Sequence, residues 1–459
     1  MMDTATAARA VQGRLIGTNL PFSRVTTDTR TLAAGDLFVA LKGDQFDGHD
    51  FVPVAFERGA SAVLVADERA DALAGERIAV PDPLAALGQL ASYWRRRFAI
   101  PVIAVVGSNG KTTVKEMIAA ILRAQFGDEH VHATRGNLNN AIGLPLTVLG
   151  LRERHRAAVI ELGMNHPGET AELAAIVRPT IALINNAQRE HQEFMLNTAM
   201  VAAEHASLLR ALGEGGIAVL NADDAHVELW RGVAGDEHRA VVDFALDHQA
   251  EVTGRYATGE DGAGVLDLAT NAGGARVRMP IAGRHNALNA LAAAAAGRAV
   301  GIAPEVIRRG LESFRPVAGR LVTRQTPQGA VVIDDTYNAN PDSVRAAIDV
   351  LAGMRGPKWL VLGDMGEVGE QGASYHHEVG EYAREKGIVR LFAAGAMTAA
   401  TAAAFGAGAS HYTSVEDLMR ELPVGEAAGV TVLVKGSRFM RMERVVAMLT
   451  GEAPAGGAH

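Results

Sequence analysis

The segment from Pro101 to Gln125 limits the possible folds most sharply. Pro101-Val-Ile-Ala-Val-Val106 is a continuous apolar run, and Gly107-Ser-Asn-Gly-Lys-Thr-Thr113 follows it directly. A helical pattern then runs from Thr112 to Gln125. A strand apolar at every position must be covered on both faces, as in a central parallel strand. A glycine-rich turn between such a strand and a helix lets backbone N–H groups curl around a phosphate, and the helix dipole favours the anion. Lys111 can reach the β- and γ-phosphates, and Thr112 can ligate Mg²⁺. Gly107, Ser108, Asn109, Gly110 and Thr113 complete the loop. The usual spacing would place a glycine at 105, where Val105 stands, so this is a shortened relative of the common motif.

The same alternation recurs. Ala157–Glu161, Ile181–Ile184 and Ile217–Leu220 read as further strands with helical stretches between them, a parallel α/β sheet. This unit begins after the break at Pro81-Asp82-Pro83 and ends with the helix Pro304–Phe314. Before it lies a mixed α/β unit, with strands at Asp36–Leu41 and Ala62–Ala66 and a helix at Phe51–Arg58. After it, strands at Ala330–Asp334, Lys358–Leu362, Val389–Ala393 and Thr431–Val434 alternate with helices at Pro341–Met354, His376–Lys386 and Val415–Leu422. That is a small doubly wound unit. The expected domains are 1–82, 83–314 and 315–459, in keeping with 459 residues at roughly 150 per domain. The tail Gly451–His459 is expected to be disordered.

Composition narrows the function. Net charge is −8, with 44 Lys and Arg against 52 Asp and Glu, and no basic block offers a nucleic-acid footprint. With no cysteine, disulfides, zinc–thiolate sites and thiol nucleophiles are excluded, which fits a reducing cytoplasm. The first twenty residues lack a basic segment followed by an apolar core, so no leader peptide is expected. No uncharged apolar run reaches the ~18 residues needed to span a bilayer. The run Ala287–Ala296, flanked by Arg284 and Arg298, reads as a buried helix.

A cation needs hard oxygen ligands near the phosphate loop. Glu161 ends a strand of the same sheet, which points it at the nucleotide cleft. Alone it would read as a strand-end surface acid; beside the loop it is the leading metal ligand. His191 lies in a polar loop after Ile181–Ile184 and by itself is an ordinary loop histidine.

With these residues assembled, the chain resembles the Mur ligases, cytoplasmic amide ligases of bacterial cell-wall synthesis. In the central unit the resemblance rests on the phosphate loop, Thr134-Arg-Gly-Asn-Leu-Asn-Asn140, Glu161-Leu-Gly-Met-Asn165 and Gly283-Arg-His-Asn-Ala-Leu-Asn289. Outside it stand Thr27-Asp-Thr-Arg30, Lys42-Gly-Asp-Gln-Phe-Asp-Gly-His49, Asp335-Thr-Tyr-Asn-Ala-Asn-Pro-Asp342 and Leu433-Val-Lys-Gly-Ser-Arg438. The resemblance implies an ATP- and Mg²⁺-dependent ligase that turns a carboxylate into an acyl phosphate. The amine of D-alanyl-D-alanine then displaces phosphate, and the acceptor is a UDP-N-acetylmuramoyl-tripeptide. A monomer is expected. Such a route needs charge neutralisation more than covalent chemistry by the enzyme.

By the same resemblance Lys111 is catalytic, and Thr112, Glu161 and His191 hold Mg²⁺. Asn289, Arg320 and Asp335 contact the nucleotide. Thr27, Asp28 and Arg30, with Asp47, Gly48 and His49, form the uridine-diphosphate pocket, and Asn139 and Asn140 reach its sugar-phosphate end. Asn338 and Asn340 suit dipeptide recognition, since an amide can bond both ammonium and carboxylate; Asn-Ala-Asn-Pro is equally good turn chemistry. Lys435 and Arg438 either bind the dipeptide carboxylate or phosphate, or form a solvated pair. Competing readings are another ligase of the same superfamily, tripeptide-forming or like a folylpolyglutamate synthetase, then a P-loop switch or motor, and a nucleotide-binding regulatory module. The unit before Pro83 argues against the synthetase.

One departure from the family stands out. Many Mur ligases carry a CO₂-carbamylated lysine on the helix after the loop of His191. Its place falls at His205, in Ala202-Ala-Glu-His-Ala-Ser207, and no lysine lies between Lys115 and Lys358. Glu204 or His205 is expected to face the metal site in its stead, unless both lie on an ordinary helix surface and water fills the gap.

Overall fold

A computed structural model describes residues 1–258, 264–327, 329–424 and 428–452. Beyond residue 452, the tail expected to be disordered lies outside the described residues. Three α/β domains follow one another, each built on its own sheet.

The central sheet has nine strands among the described residues. Its parallel part runs, in spatial order, Val131–Ala133, Ala157–Glu161, Val102–Val106, Ile181–Ile184, Ile217–Asn221 and Ala240–Ala245. Val102–Val106 occupies an interior place and is buried throughout, as its unbroken apolar sequence requires. The helix Lys111–Phe126 packs Val114, Met117, Ile118 and Ile121 into the core on one face of the sheet. Beside it lies Arg284–Val300, whose stretch Ala287–Ala296 is buried apart from Leu288. Alanines let this helix approach closely, and they explain its apolar character without a bilayer. No helix among the described residues is long and apolar enough to cross a membrane.

Sequence reading missed the far edge of this sheet. Val252–Thr258 adds in parallel, then Gly264–Thr270 and Gly273–Met279 add antiparallel. The last two carry Gly, Asp and Arg among their apolar positions, with only alternate residues buried, so no continuous apolar run announces them.

The N-terminal sheet orders Arg14–Ile16, Arg77–Val80, Ala62–Ala66, Asp36–Val39 and Arg24–Thr26, parallel except at the first strand. The helix Pro83–Arg95, started by the Asp82 side chain capping Leu84 and Ala85 N–H, joins two domains. Its Leu87, Leu90 and Trp94 share one apolar cluster with Leu64 and Ile78 on one side and Val106 and Ile160 on the other.

The C-terminal sheet runs Val322–Gln325, Val331–Asp335, Thr431–Lys435, Lys358–Gly363, Arg390–Ala394 and Ala409–Tyr412. All neighbours are parallel except the first pair. The expected helices appear at Pro341–Ala352, Gly372–Glu385 and Val415–Glu421. Ligands of parallel sheets gather beyond the carboxyl ends of the strands. Here the ends of Val102–Val106, Ala157–Glu161 and Val331–Asp335 all supply residues to one cleft.

Candidate active site

The phosphate loop is shaped by its glycines and by a wall of amides. Gly107 takes φ 146° and Gly110 φ 81°. A Cβ on Gly110 would stand 2.5 Å from Asn289 Oδ1, and one on Gly107 2.9 Å from Asn185 Cβ. Glycine is needed at both places for conformation and for space. The Asn109 N–H donates to Asn186 Oδ1 at 2.9 Å, and its carbonyl accepts from the side-chain amides of Asn185 and Asn186 at 2.8 and 3.0 Å. Ser108 Oγ accepts from Gln188 N–H at 2.8 Å. None of the segment Asn185–Gln188 was singled out from sequence, because its role comes from contacts across some eighty positions of chain.

Lys111 Nζ folds over its own loop, donating to the carbonyls of Gly107 at 2.5 Å and Ser108 at 3.3 Å and to Glu190 Oε2 at 3.1 Å. Glu190 was also missed in the sequence. It is one acid in a polar loop, and only the fold buries it, to 5% exposure. Burial pushes its pKa up, but the Lys111 charge and the nearby His205 and His191 bring it down to about 2.

Thr112 and Glu161 come together beside the loop. Thr112 Oγ donates to Glu161 Oε1 at 3.2 Å, and Asn139 Nδ2 donates to the same oxygen at 2.8 Å. Glu161 Oε2 is buried with no hydrogen-bond partner among the described residues, which suits a hard cation's ligand. His191 does not join them. It takes a left-handed backbone, φ 46°, and its Nδ1 stands 2.8 Å from Glu367 Oε2 of the C-terminal domain. That contact holds the Glu367 carboxyl below the usual carboxylate range. Among the described residues no three His, Asp or Glu side chains come together closely enough to hold a metal.

The helix expected to replace the carbamylated lysine settles one alternative. Glu204 turns away, and its carboxylate accepts from Gly168 and Thr170 N–H at 2.9 and 2.8 Å. It thereby caps the helix Glu169–Val177, so its expected place at the metal site is wrong. His205 is buried to 1% exposure, with Nε2 3.3 Å from Glu190 Oε1.

A cleft of about 800 Å³ separates this loop from the C-terminal domain. Lys111, Glu161, Asn289, Arg320, Asp335 and Asn338 all line it, as do Asn139 and Asn140. Several expected contacts are already committed inside the protein. Asn289 Oδ1 accepts from Asn185 and its Nδ2 donates to Asn286 Oδ1, so it buttresses the loop while lining the cleft. Asn140 Oδ1 accepts from Ile142 and Gly143 N–H at 3.2 and 2.9 Å. The Arg320 guanidinium lies 4.0 Å from the centre of the Tyr337 ring.

Lys435 is buried, with Nζ 2.5 Å from Asp335 Oδ2 and 2.9 Å from the Asn338 carbonyl. It is therefore an internally paired cation and not half of a solvated pair. Arg438 does not reach the cleft; it is half-exposed and pairs with Glu443 at 3.2 Å. The Asn-Ala-Asn-Pro question divides by residue. Asn340 accepts from Ser343 N–H in a capping box for the helix Pro341–Ala352 and donates from Nδ2 to Asn109 Oδ1 at 2.9 Å. Asn338 Oδ1 accepts from Ala339 N–H.

The N-terminal loops lie apart from this cleft. Asp28 grips Arg30 through paired contacts of 3.0 and 2.9 Å. Asp47 accepts from His49 and from Arg69. His49 is buried, with Nδ1 on Asp47 and Nε2 accepting from Ala66 N–H at 2.9 Å, so it holds the loop and presents no free nitrogen. Gly48 fits because a Cβ there would stand 2.6 Å from the Leu41 carbonyl. Thr27 follows the edge strand Arg24–Thr26 into the loop of Asp28.

Comparison with known proteins covers nearly the whole length. Residues 21–95 match the model of the Mur ligase family catalytic domain, 105–297 the Mur ligase middle domain, and 319–438 the Mur ligase glutamate ligase domain. The UDP-N-acetylmuramoyl-tripeptide–D-alanyl-D-alanine ligase of Escherichia coli K12 is 41% identical over 444 residues, covering 96% of both chains. The enzyme of that name from Bacillus subtilis 168 is 36% identical, covering 92% of both. Among solved structures, MurF from Acinetobacter baumannii superposes with a TM-score of 0.91 at 32% identity, covering 98% of this chain and 99% of that one. MurF ligase from Thermotoga maritima, in complex with ADP, gives 0.82 at 27% identity, covering 94% and 97%. A Mycobacterium tuberculosis folylpolyglutamate synthase shares the fold at 17% identity, with a TM-score of 0.65 over 81% of this chain and 95% of that one.

Proposed function

The chain belongs to the Mur ligase family, and on that footing we propose that it joins D-alanyl-D-alanine to UDP-N-acetylmuramoyl-tripeptide, driven by ATP. The observation that carries this reading is the shared cleft. The phosphate loop with Lys111 faces the loop of Asp335, Asn338 and Asn340 across it, while a separate pair of polar loops stands ready in the N-terminal domain. In this reading the division 1–82, 83–314 and 315–459 gives one domain to each substrate.

In this reading the triphosphate lies along Gly107–Thr113, under backbone N–H groups and the N-terminus of Lys111–Phe126. Lys111 leaves its loop carbonyls for the transferring phosphoryl group and neutralises charge there. Thr112 and Glu161 would hold Mg²⁺, which supplies further charge neutralisation at the β- and γ-phosphates when bound. The tripeptide carboxylate takes the γ-phosphoryl group, giving an acyl phosphate and ADP. The free amine of D-alanyl-D-alanine attacks that carbonyl, and phosphate leaves as the amide forms. Asn338, whose carbonyl Lys435 fixes, presents its remaining amide group to the dipeptide. Arg320, stacked on Tyr337, lies at the nucleotide end. Thr27, Asp28 and Arg30, with the loop that His49 stiffens, hold the uridine diphosphate. The enzyme works as a monomer in the cytoplasm.

The test is a coupled phosphate-release assay with ATP and UDP-N-acetylmuramoyl-tripeptide, with D-alanyl-D-alanine present or absent. Sustained release only with all three substrates supports the ligase. Equal release from ATP alone, as a switch or motor would give, sinks it.

A further inference from the structure

Lys111 is met from behind by a carboxylate that no other function claims. Glu190 follows the strand Ile181–Ile184 in a loop that crosses under the phosphate loop. Its Oε2 stands 3.1 Å from Lys111 Nζ, and its Oε1 stands 3.3 Å from His205 Nε2 on the helix Thr198–Arg210. Glu190 is 5% exposed and His205 1%. The Gln192 side-chain amide donates to the Glu190 carbonyl at 3.1 Å, and the Glu190 N–H donates to the Gln188 carbonyl at 2.9 Å, so the backbone of this residue is fixed as well.

Taking a carboxylate out of water is costly unless it is paired and hydrogen-bonded. The fold accepts that burden at Glu190 and aims one oxygen at the single lysine of the phosphate loop. The other oxygen faces His205 Nε2 at 3.3 Å and accepts no hydrogen bond among the described residues. The loop thus delivers the carboxylate to the tip of a helix side chain. A lysine carbamate could place a carboxylate there too. This chain has no lysine between 115 and 358, so that route is closed.

We propose that Glu190, backed by His205, is a positioning residue for phosphoryl transfer: it sets where Lys111 Nζ stands and supplies a fixed negative charge beside it. When Lys111 turns to the phosphoryl oxygens, Glu190 restrains it from the far side. The lysine then swings between two defined partners instead of searching freely. A preorganised group of this kind loses little by reorganising during the reaction. Because the carboxylate is an unmodified side chain, the site is complete without CO₂.

The inference rests on the ATP-ligase reading, and the experiment separates the two. Binding of Mn²⁺ with β,γ-methylene-ATP is followed by electron paramagnetic resonance on the full-length protein, beside kcat and the Kd for UDP-N-acetylmuramoyl-tripeptide. Glu190→Gln is expected to weaken Mn²⁺–analogue binding by about tenfold or more and to lower kcat, with the UDP-substrate Kd unchanged. Glu190→Asp, which keeps the charge, recovers part of the binding. A folded Glu190→Gln protein with binding and kcat within about twofold of wild type overturns the proposal. If Glu190→Gln does not fold, Glu190→Asp decides alone: wild-type binding and kcat, despite a carboxylate drawn back by one methylene, overturn it. The wild-type protein is also exposed to ¹³C-bicarbonate after CO₂ depletion. Unchanged Mn²⁺–analogue binding and no carbamate carbon signal are expected; a carbamate signal, or binding restored by bicarbonate, overturns the proposal. Lys111→Ala is measured in parallel: if it keeps full turnover, the nucleotide-site reading falls, whereas its loss of turnover beside a normal Glu190→Gln removes only the role of Glu190.

Discussion

Lys111 and Glu190 form a nearly buried pair, with side chains 17% and 5% exposed, and that governs what a single substitution does. Lys111→Ala removes the one lysine of the phosphate loop and should lower phosphate release by about 10³-fold or more, as for other charges that stabilise a transferring phosphoryl group. It also strands Glu190, and breaking one side of a buried pair costs about 3–5 kcal/mol. The thermal midpoint should therefore drop in Lys111→Ala and recover in Lys111→Ala/Glu190→Gln, while turnover stays lost in both. A recovered midpoint accompanied by recovered turnover would show that Lys111 serves folding alone. Glu204 gives the contrasting case. Its carboxylate caps the helix Glu169–Val177 through Gly168 and Thr170 N–H, so Glu204→Ala should cost about 1 kcal/mol of stability with Mn²⁺–nucleotide binding intact. Weaker metal binding at unchanged stability would return Glu204 to the metal site.

Elements differ in how openly the sequence announces them. Val102–Val106, Ala157–Glu161 and Ile181–Ile184 are legible because every residue in them is buried, and burial on both faces requires an unbroken apolar run. Gly264–Thr270 and Gly273–Met279 are not, because half their positions face water and glycine opens each. The same contrast holds in the site. Lys111, Thr112 and Glu161 are legible because phosphate and cation chemistry demands those residue types at a strand end and a helix start. Glu190, Asn185 and Arg189 lie in a polar loop without period, and only contacts with distant segments give them their roles. Asn340 shows the two kinds of information on one side chain. Its cap on Pro341–Ala352 is local turn chemistry, whereas its bond to Asn109 spans two domains. Asn340→Asp keeps an acceptor for Ser343 N–H but offers Asn109 Oδ1 no amide donor. It should hold stability within about 0.5 kcal/mol and raise the KM for ATP, whereas Asn340→Ala should lose about 1 kcal/mol and raise that KM as well. An unchanged KM in both would show that the bridge to the phosphate loop has no part in closure.

At the scale of the whole molecule, a few polar contacts hold the central and C-terminal domains together around the cleft. Arg189 forks onto Asp342 at 2.6 Å and onto Glu378 at 2.7 Å, and the pairs Asn109–Asn340 and His191–Glu367 stand beside it. Polar interfaces of this sort between domains of one chain ordinarily permit relative motion, and ligation needs the reacting atoms within about 3–3.5 Å. These contacts already bring the two domains together at the rim of the cleft, and Arg189, with two carboxylate partners, is the strongest clasp among them. Removing it forfeits several charge-assisted hydrogen bonds, each contributing about 1.5–3 kcal/mol at most; partial exposure of all three side chains reduces that figure. Arg189→Ala should enlarge the radius of gyration of the ligand-free protein in solution scattering and raise the KM for ATP by roughly tenfold. Saturating ATP analogue with the UDP-substrate should bring the radius back to the wild-type value. Acid should act on the same clasp. Hydrogen bonds from Arg189 hold the Glu378 carboxyl below its ordinary value of 4.5. A depressed acid contributes stability above its unperturbed pKa and loses it as the pH falls through the lowered one, so closure should persist at pH 7 and weaken only below about 4.5. Scattering from pH 7 downward, compared with the same series on Glu378→Gln, isolates this group: the wild-type radius should grow at low pH, and the variant, already lacking the charge, should show a smaller change over the same range. Identical radii for wild type, Arg189→Ala and Glu378→Gln at every pH would mean that the apolar parts of the interface, not this ion pair, keep the domains closed.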